Sequence, residues 1–149
     1  LLKERQLLYF RPFYFQNGNT PQNKFFVVLK IIENTTIVAS LPTKINNAPS
    51  LIDKSHGCVT KDDRMFNCYV FEQGRPICEN GFCFDLQTHM YGNQVSDYTL
   101  TNLTKNNTIR EGIEFDIVGI LTVNEFSDIY KCLSENNSTR NKIKKMLAA

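Results

Sequence analysis

Phe25-Phe26-Val27-Val28-Leu29-Lys30-Ile31-Ile32 is a near-continuous apolar run rich in β-branched residues. Glu33-Asn34-Thr35 interrupts it, and Thr36-Ile37-Val38-Ala39-Ser40-Leu41 runs back. The first run is short for a buried helix and suits a strand covered on both faces. The pair predicts a hairpin at the centre of a sheet. Pro42 has no amide hydrogen to give a ladder, so it ends the second strand and leaves Thr43 and Lys44 at its exit.

The pattern extends outward in both directions. Residues 7–15 predict a strand in which Pro12 marks an edge, a bulge or a bend. Residues 16–21 form a turn-rich loop. Residues 46–63, with Pro49, His56 and Gly57, read as a long excursion. Loops beyond about 12–15 residues are uncommon in compact domains unless functional or disordered. Residues 66–71 and 75–78 predict a hairpin about Gln73-Gly74, and Glu79-Asn80-Gly81 turns into 82–84. A last strand is expected over 113–121.

Thr122-Val123-Asn124-Glu125 has the capping-box pattern, in which hydroxyl and carboxylate satisfy free backbone amides reciprocally. Phe126, Ile129, Tyr130 and Leu133 follow at helical spacing and predict one buried stripe. Ser138 is placed to cap a second helix with Ile143, Met146 and Leu147 inside and Arg140, Lys142, Lys144 and Lys145 outside. Short strands followed by helices describe a mainly β fold with a helical C-terminus, a small barrel or half-barrel under a helical lid. With no repeat or linker, residues 1–149 read as one domain, strands over 7–121 and helices over 122–147.

Composition narrows the function classes. A hydrophobic content of 42% with 21% charged residues excludes a disordered chain. The net charge of +2 is too small for binding to nucleic acid by charge alone. No run of 18 apolar residues exists, and residues 1–6 lack the apolar centre of a secretory leader. Cys58, Cys68, Cys78, Cys83 and Cys132 are odd in number and spaced without obvious pairing, which reads as free thiols in the cytoplasm. Sequons at Asn34, Asn102 and Asn137 support a secreted domain instead, a reading that five free thiols would exclude.

The order of these pieces resembles the PemK/MazF family of toxin ribonucleases. Lys24-Phe25-Phe26-Val27-Val28-Leu29 is similar to the family's first core strand, with Lys24 where the family has arginine. Leu41-Pro42-Thr43 resembles the exit of the next strand, and the stretch from Ile117 to Phe126 resembles the closing strand and helix start. Tyr91-Gly92-Asn93-Gln94-Val95-Ser96-Asp97 resembles the Asp-Gln-x-Arg segment, with Asn93 and Ser96 at the acid and arginine positions. The resemblance implies an SH3-like barrel, a metal-independent endoribonuclease acting on single-stranded RNA, a homodimer, and an antitoxin protein as partner. It implies no cofactor and no membrane.

Such cleavage needs a base for the 2′-hydroxyl, an acid for the leaving oxygen, and donors for the charged phosphorane. His56 is the natural base or acid, because its ordinary pKa lies near neutrality. Thr43 offers a hydroxyl to a phosphate oxygen, and Lys24 holds the charge, which makes Thr43, His56 and Lys24 the expected catalytic group. Lys44, Arg75 and Ser96 are the expected RNA-binding residues. The spacings His56-x-Cys58 and Cys78-x4-Cys83 are not those of common zinc folds, so no metal is expected. The aromatic run from Tyr9 to Phe15 reads as core alternating with edge packing, or as a platform for stacked bases. The rival reading, favoured by the arginine positions, is a non-catalytic SH3-like module that binds RNA or protein.

Overall fold

A computed structural model describes residues 2–13, 20, 22–41, 55–61, 66–99 and 115–149. Thr43, Lys44, Tyr14 and Phe15 lie outside the described residues. Eight strands are described: β1 (Gln6–Phe13), β2 (Gln22–Ile32), β3 (Thr35–Ser40), β4 (Gly57–Lys61), β5 (Phe66–Phe71), β6 (Thr88–Met90), β7 (Val95–Thr99) and β8 (Phe115–Ile120). Helices α1 (Val123–Ser134) and α2 (Asn141–Ala148) follow.

The predicted hairpin is the centre of the molecule. β2 is the middle strand of a five-stranded antiparallel sheet ordered β7-β3-β2-β1-β8. Its two faces enter different clusters, as a continuous apolar strand requires. Val27 and Leu29 join Ile37, Ala39, Tyr69, Phe71 and Met90 in the main core. Phe26 and Val28 join Leu8, Phe10, Phe13 and Val38 on the opposite face. There Phe10 meets Phe26 edge-to-face at 5.3 Å. Each large apolar side chain so buried contributes about 1.5–3 kcal/mol, which is why β2 anchors the fold. Glu33 takes the left-handed turn with φ 52°. Pro12 lies where the β1–β2 register shifts between Phe10 and Phe13, the bulge among the three readings.

Among the described residues the strands make two separate antiparallel sheets, the second being β4-β5-β6, so the mainly β class with C-terminal helices holds and no closed barrel is found. Three expectations need correction. Residues 75–78 form no hairpin with β5, whose two edges are taken by β4 and β6. Instead Ile77 N–H donates to Phe82 O at 2.9 Å, closing a loop around Asn80-Gly81. The expected excursion 46–63 contains β4, which pairs with β5 from Gly57↔Val70 to Lys61↔Phe66. The second helix begins at Asn141 without a Ser138 cap; the Ser138 hydroxyl and amide both donate to Asn136 Oδ1.

The thiols are not all free. Cys58 on β4 and Cys132 on α1 form a disulfide across 74 residues, with Cα atoms 5.6 Å apart. Spacing along the chain concealed the pair because only the packing of α1 on β4 brings them together. Cys68, Cys78 and Cys83 are free. Burial pushes the Cys68 and Cys78 thiols up to about 11. Five free thiols would have excluded secretion, and this pair removes that exclusion. Among the described residues no helix is long and apolar enough to cross a membrane.

Candidate functional site

Two places hold the chemistry-bearing side chains. The first is an open groove of about 540 Å³ at the start of β2, lined by Tyr9, Lys24, Phe25, Phe82, Phe84 and Asp85 among others. Pairing of β1 with β2 sets Tyr9 opposite Phe25, and their ring centroids lie 4.4 Å apart. The other wall comes from the loop after β5. Gly81, at φ 84°, turns the chain, and its N–H donates to Cys78 O at 2.9 Å. Asn80 holds that turn: its Oδ1 accepts from Phe82 N at 3.1 Å, and its Nδ2 donates to Val118 O on β8 at 2.9 Å. Phe84 then meets Phe25 edge-to-face at 5.1 Å and Phe82 at 5.3 Å.

Lys24 is the cation of this groove. Its Nζ donates to Leu41 O at 3.1 Å. Burial among the rings holds its pKa below the ordinary lysine value of 10.5. Pro42 and Thr43 follow Leu41 directly in the chain.

The second place is closed. Glu125, on the first turn of α1, accepts at Oε2 from Tyr69 OH on β5 and from His56 Nε2, the latter at 2.7 Å. Glu72 N–H donates to His56 Nδ1 at 3.1 Å. An amide N–H can only donate, so Nδ1 carries no proton and Nε2–H is the donor to the carboxylate. The histidine and glutamate side chains are only 7% and 11% exposed. Burial and the Glu125 charge together push the Tyr69 phenol far above its ordinary value. The predicted capping box is half made. Thr122 Oγ1 accepts from Glu125 N at 3.2 Å, but the carboxylate is drawn to Tyr69 and His56. The Thr122 amide donates to Ile77 O at 3.1 Å instead.

Of the expected site residues, the groove takes Lys24. His56 lies apart, beyond a run of rings in which it meets Phe71 at 6.3 Å and Phe71 meets Phe84 at 5.2 Å. In this arrangement neither ring nitrogen of His56 is left to accept a proton from a substrate. Arg75 is exposed in the loop after β5, and Ser96 sits on β7 opposite Val38. Neither lines the groove. Tyr9 and Phe25 are half-buried groove walls, whereas Phe10 and Phe13 are core. The basic residues at the start of α2 are partly engaged, Arg140 just before the helix and Lys142 within it lying 3.6 and 3.4 Å from Asp97 on β7. Sequence reasoning missed Asp85, Phe82 and Phe84 as site residues; only the Asn80-Gly81 turn signalled that this segment folds back.

Comparison with family models, curated proteins and solved structures finds no match to the chain.

Proposed function

We propose that the protein binds single-stranded RNA in the Lys24 groove, as a module of the SH3-like, PemK/MazF-like kind. The supporting observation is a desolvated lysine set among half-buried aromatic rings. Unstacked bases are held by such rings through their π-faces, and a flanking phosphate is held by the cation. Duplexes do not offer free base faces, so a single strand is the fitting ligand. The modest net charge of +2 agrees with binding led by stacking rather than by a basic field.

One observation favours the toxin reading, in which the same groove cleaves RNA without metal. Lys24 bonds the carbonyl immediately before Pro42-Thr43, so a hydroxyl follows closely in the chain after a lysine of lowered pKa. In that reading Lys24 and Thr43 carry the proton and charge work. His56, with both nitrogens occupied, holds α1 rather than substrate. An antitoxin segment would then occupy the groove, and the chain would act as a homodimer.

The test is titration of labelled single-stranded RNA with the parent, Tyr9→Ala and Lys24→Met, followed by incubation in EDTA. Binding lost by both variants supports the module. Cleavage by the parent that Lys24→Met lacks supports the toxin. Failure of the folded parent to bind any RNA would overturn both.

A further inference from the structure

Lys24 has a counterpart in the groove whose chemistry is harder to reconcile with RNA. Asp85 lines the same cavity, is exposed, and has no hydrogen-bond or ion-pair partner among the described residues. A carboxylate repels phosphates, so a strand lying in this groove has to present something other than its backbone there. The remaining donors of RNA are the sugar hydroxyls and the base edges.

The base edges differ in how well they suit a carboxylate. An ionised carboxylate only accepts, and its two oxygens are best used by two parallel donors. Guanine sets N1–H and the 2-amino group side by side on its Watson–Crick edge. Adenine and cytosine set one amino donor beside a ring nitrogen lone pair, which the carboxylate repels. Uracil sets one N–H between two carbonyls. Guanine alone therefore offers the fork that Asp85 accepts. The aromatic walls supply the face contact that any base needs, and they do not discriminate.

We propose that the groove selects an unstacked guanine, its Watson–Crick edge on the Asp85 carboxylate and its ring against Tyr9, Phe25 and Phe82. Lys24, the cation of the same groove, then serves the flanking phosphate. This inference rests on the RNA reading above and adds the specificity of that same site.

The experiment is fluorescence anisotropy with uridine oligomers carrying one central guanosine, inosine, adenosine or cytidine. Inosine keeps N1–H and the 6-oxygen of guanine but lacks the 2-amino donor. One bidentate contact discriminates between bases by roughly tenfold or more. Guanosine should therefore bind at least about tenfold tighter than adenosine or cytidine, with inosine between. Asp85→Asn, an exposed and nearly isosteric change, should erase the guanosine preference while leaving adenosine binding equal or stronger. Equal binding of all oligomers by the parent, still dependent on Tyr9, would overturn the guanine site and leave the RNA reading intact. A guanosine preference that survives Asp85→Asn would overturn the role of Asp85. No binding of any oligomer would overturn both.

Discussion

The Lys24 groove and the His56–Glu125–Tyr69 cluster are joined through the Phe71–Phe84 contact, yet they use buried polar chemistry in opposite ways. In the cluster every group is spent on another part of the protein: one carboxylate oxygen takes two donors, and both histidine nitrogens are engaged. In the groove a half-buried cation tied to Leu41 O and an exposed carboxylate line one open cavity walled by aromatic rings. A satisfied buried network stabilises and specifies; charge kept beside an open apolar cavity costs stability and is useful for holding a ligand. The cluster therefore belongs to the fold, and the groove is the place to look for function. Perturbing the first should unfold the protein, and perturbing the second should change what it binds.

The largest expected effect is on the disulfide, which ties the cluster's helix to β4. Cross-linking a loop of 74 residues removes denatured-state entropy worth about 4 kcal/mol. The double variant Cys58→Ser/Cys132→Ser should lose that much in urea denaturation, and excess reductant should do the same to the parent. RNA binding by the protein that remains folded should be unchanged, since neither cysteine lines the groove. An unfolding midpoint indifferent to reductant would mean that the pair contributes nothing to holding α1.

Next in size is Glu125→Leu. It strands the Tyr69 hydroxyl and the His56 Nε2–H without an acceptor and should cost about 3 kcal/mol. Glu125→Gln keeps an acceptor oxygen and should cost about half as much. Equal losses from both would show that the negative charge, not the acceptor, is what the cluster requires.

These two sites also show where the sequence was readable. The β2–β3 hairpin was legible because its signal is local: an apolar run, a turn and a return within a few residues of one another. α1 was legible for the same reason, from Thr122 as cap and from Ile129 and Leu133 as buried positions. The pairing of Cys58 with Cys132 was not, because it depends on how α1 lies across β4. Glu125 was read as a capping residue because Thr122-Val123-Asn124-Glu125 contains that information. Nothing local reveals Tyr69 and His56, which compete for its carboxylate from 56 and 69 residues away. Lys24 was legible as the charge that opens the β2 apolar run. Its partners Phe82, Phe84 and Asp85 arrive through the Gly81 turn, whose direction the sequence alone does not set. β4, β6 and β7 are short, and strands of this length carry too few alternations for period 2 to register.

Alkaline pH should separate the two regions by sign. Tyr69 has its pKa raised in the folded state, so its contribution is intact below about pH 10 and is lost as pH climbs toward the folded value. Tyr91, Tyr98 and Tyr130 act in the same direction, and so do Cys68 and Cys78 between their ordinary value of 9.0 and about 11. Stability should therefore fall from about pH 9 upward, and Tyr69→Phe should flatten part of that fall. A fall of unchanged slope in Tyr69→Phe would remove the phenol from the account.

Lys24 should give the smallest stability effect and the opposite slope. Its pKa is lowered in the folded state, so between that value and 10.5 the unfolded chain holds more protons than the folded one. Stability then rises with pH across that window, because the penalty for burying the ammonium is relieved as the proton leaves. Lys24→Met keeps the aliphatic length and removes both the penalty and the rise. At neutral pH the variant should lie within about 0.5 kcal/mol of the parent, or slightly above it, although Leu41 O loses its donor. The same change should reduce RNA binding severalfold, measured on the same preparation. A residue that costs the fold nothing when removed and costs the ligand much is retained for the ligand. If Lys24→Met instead destabilises the protein by as much as Glu125→Gln while binding is untouched, the lysine is a strand-end tether to Leu41, and the groove loses its cation as an argument for RNA.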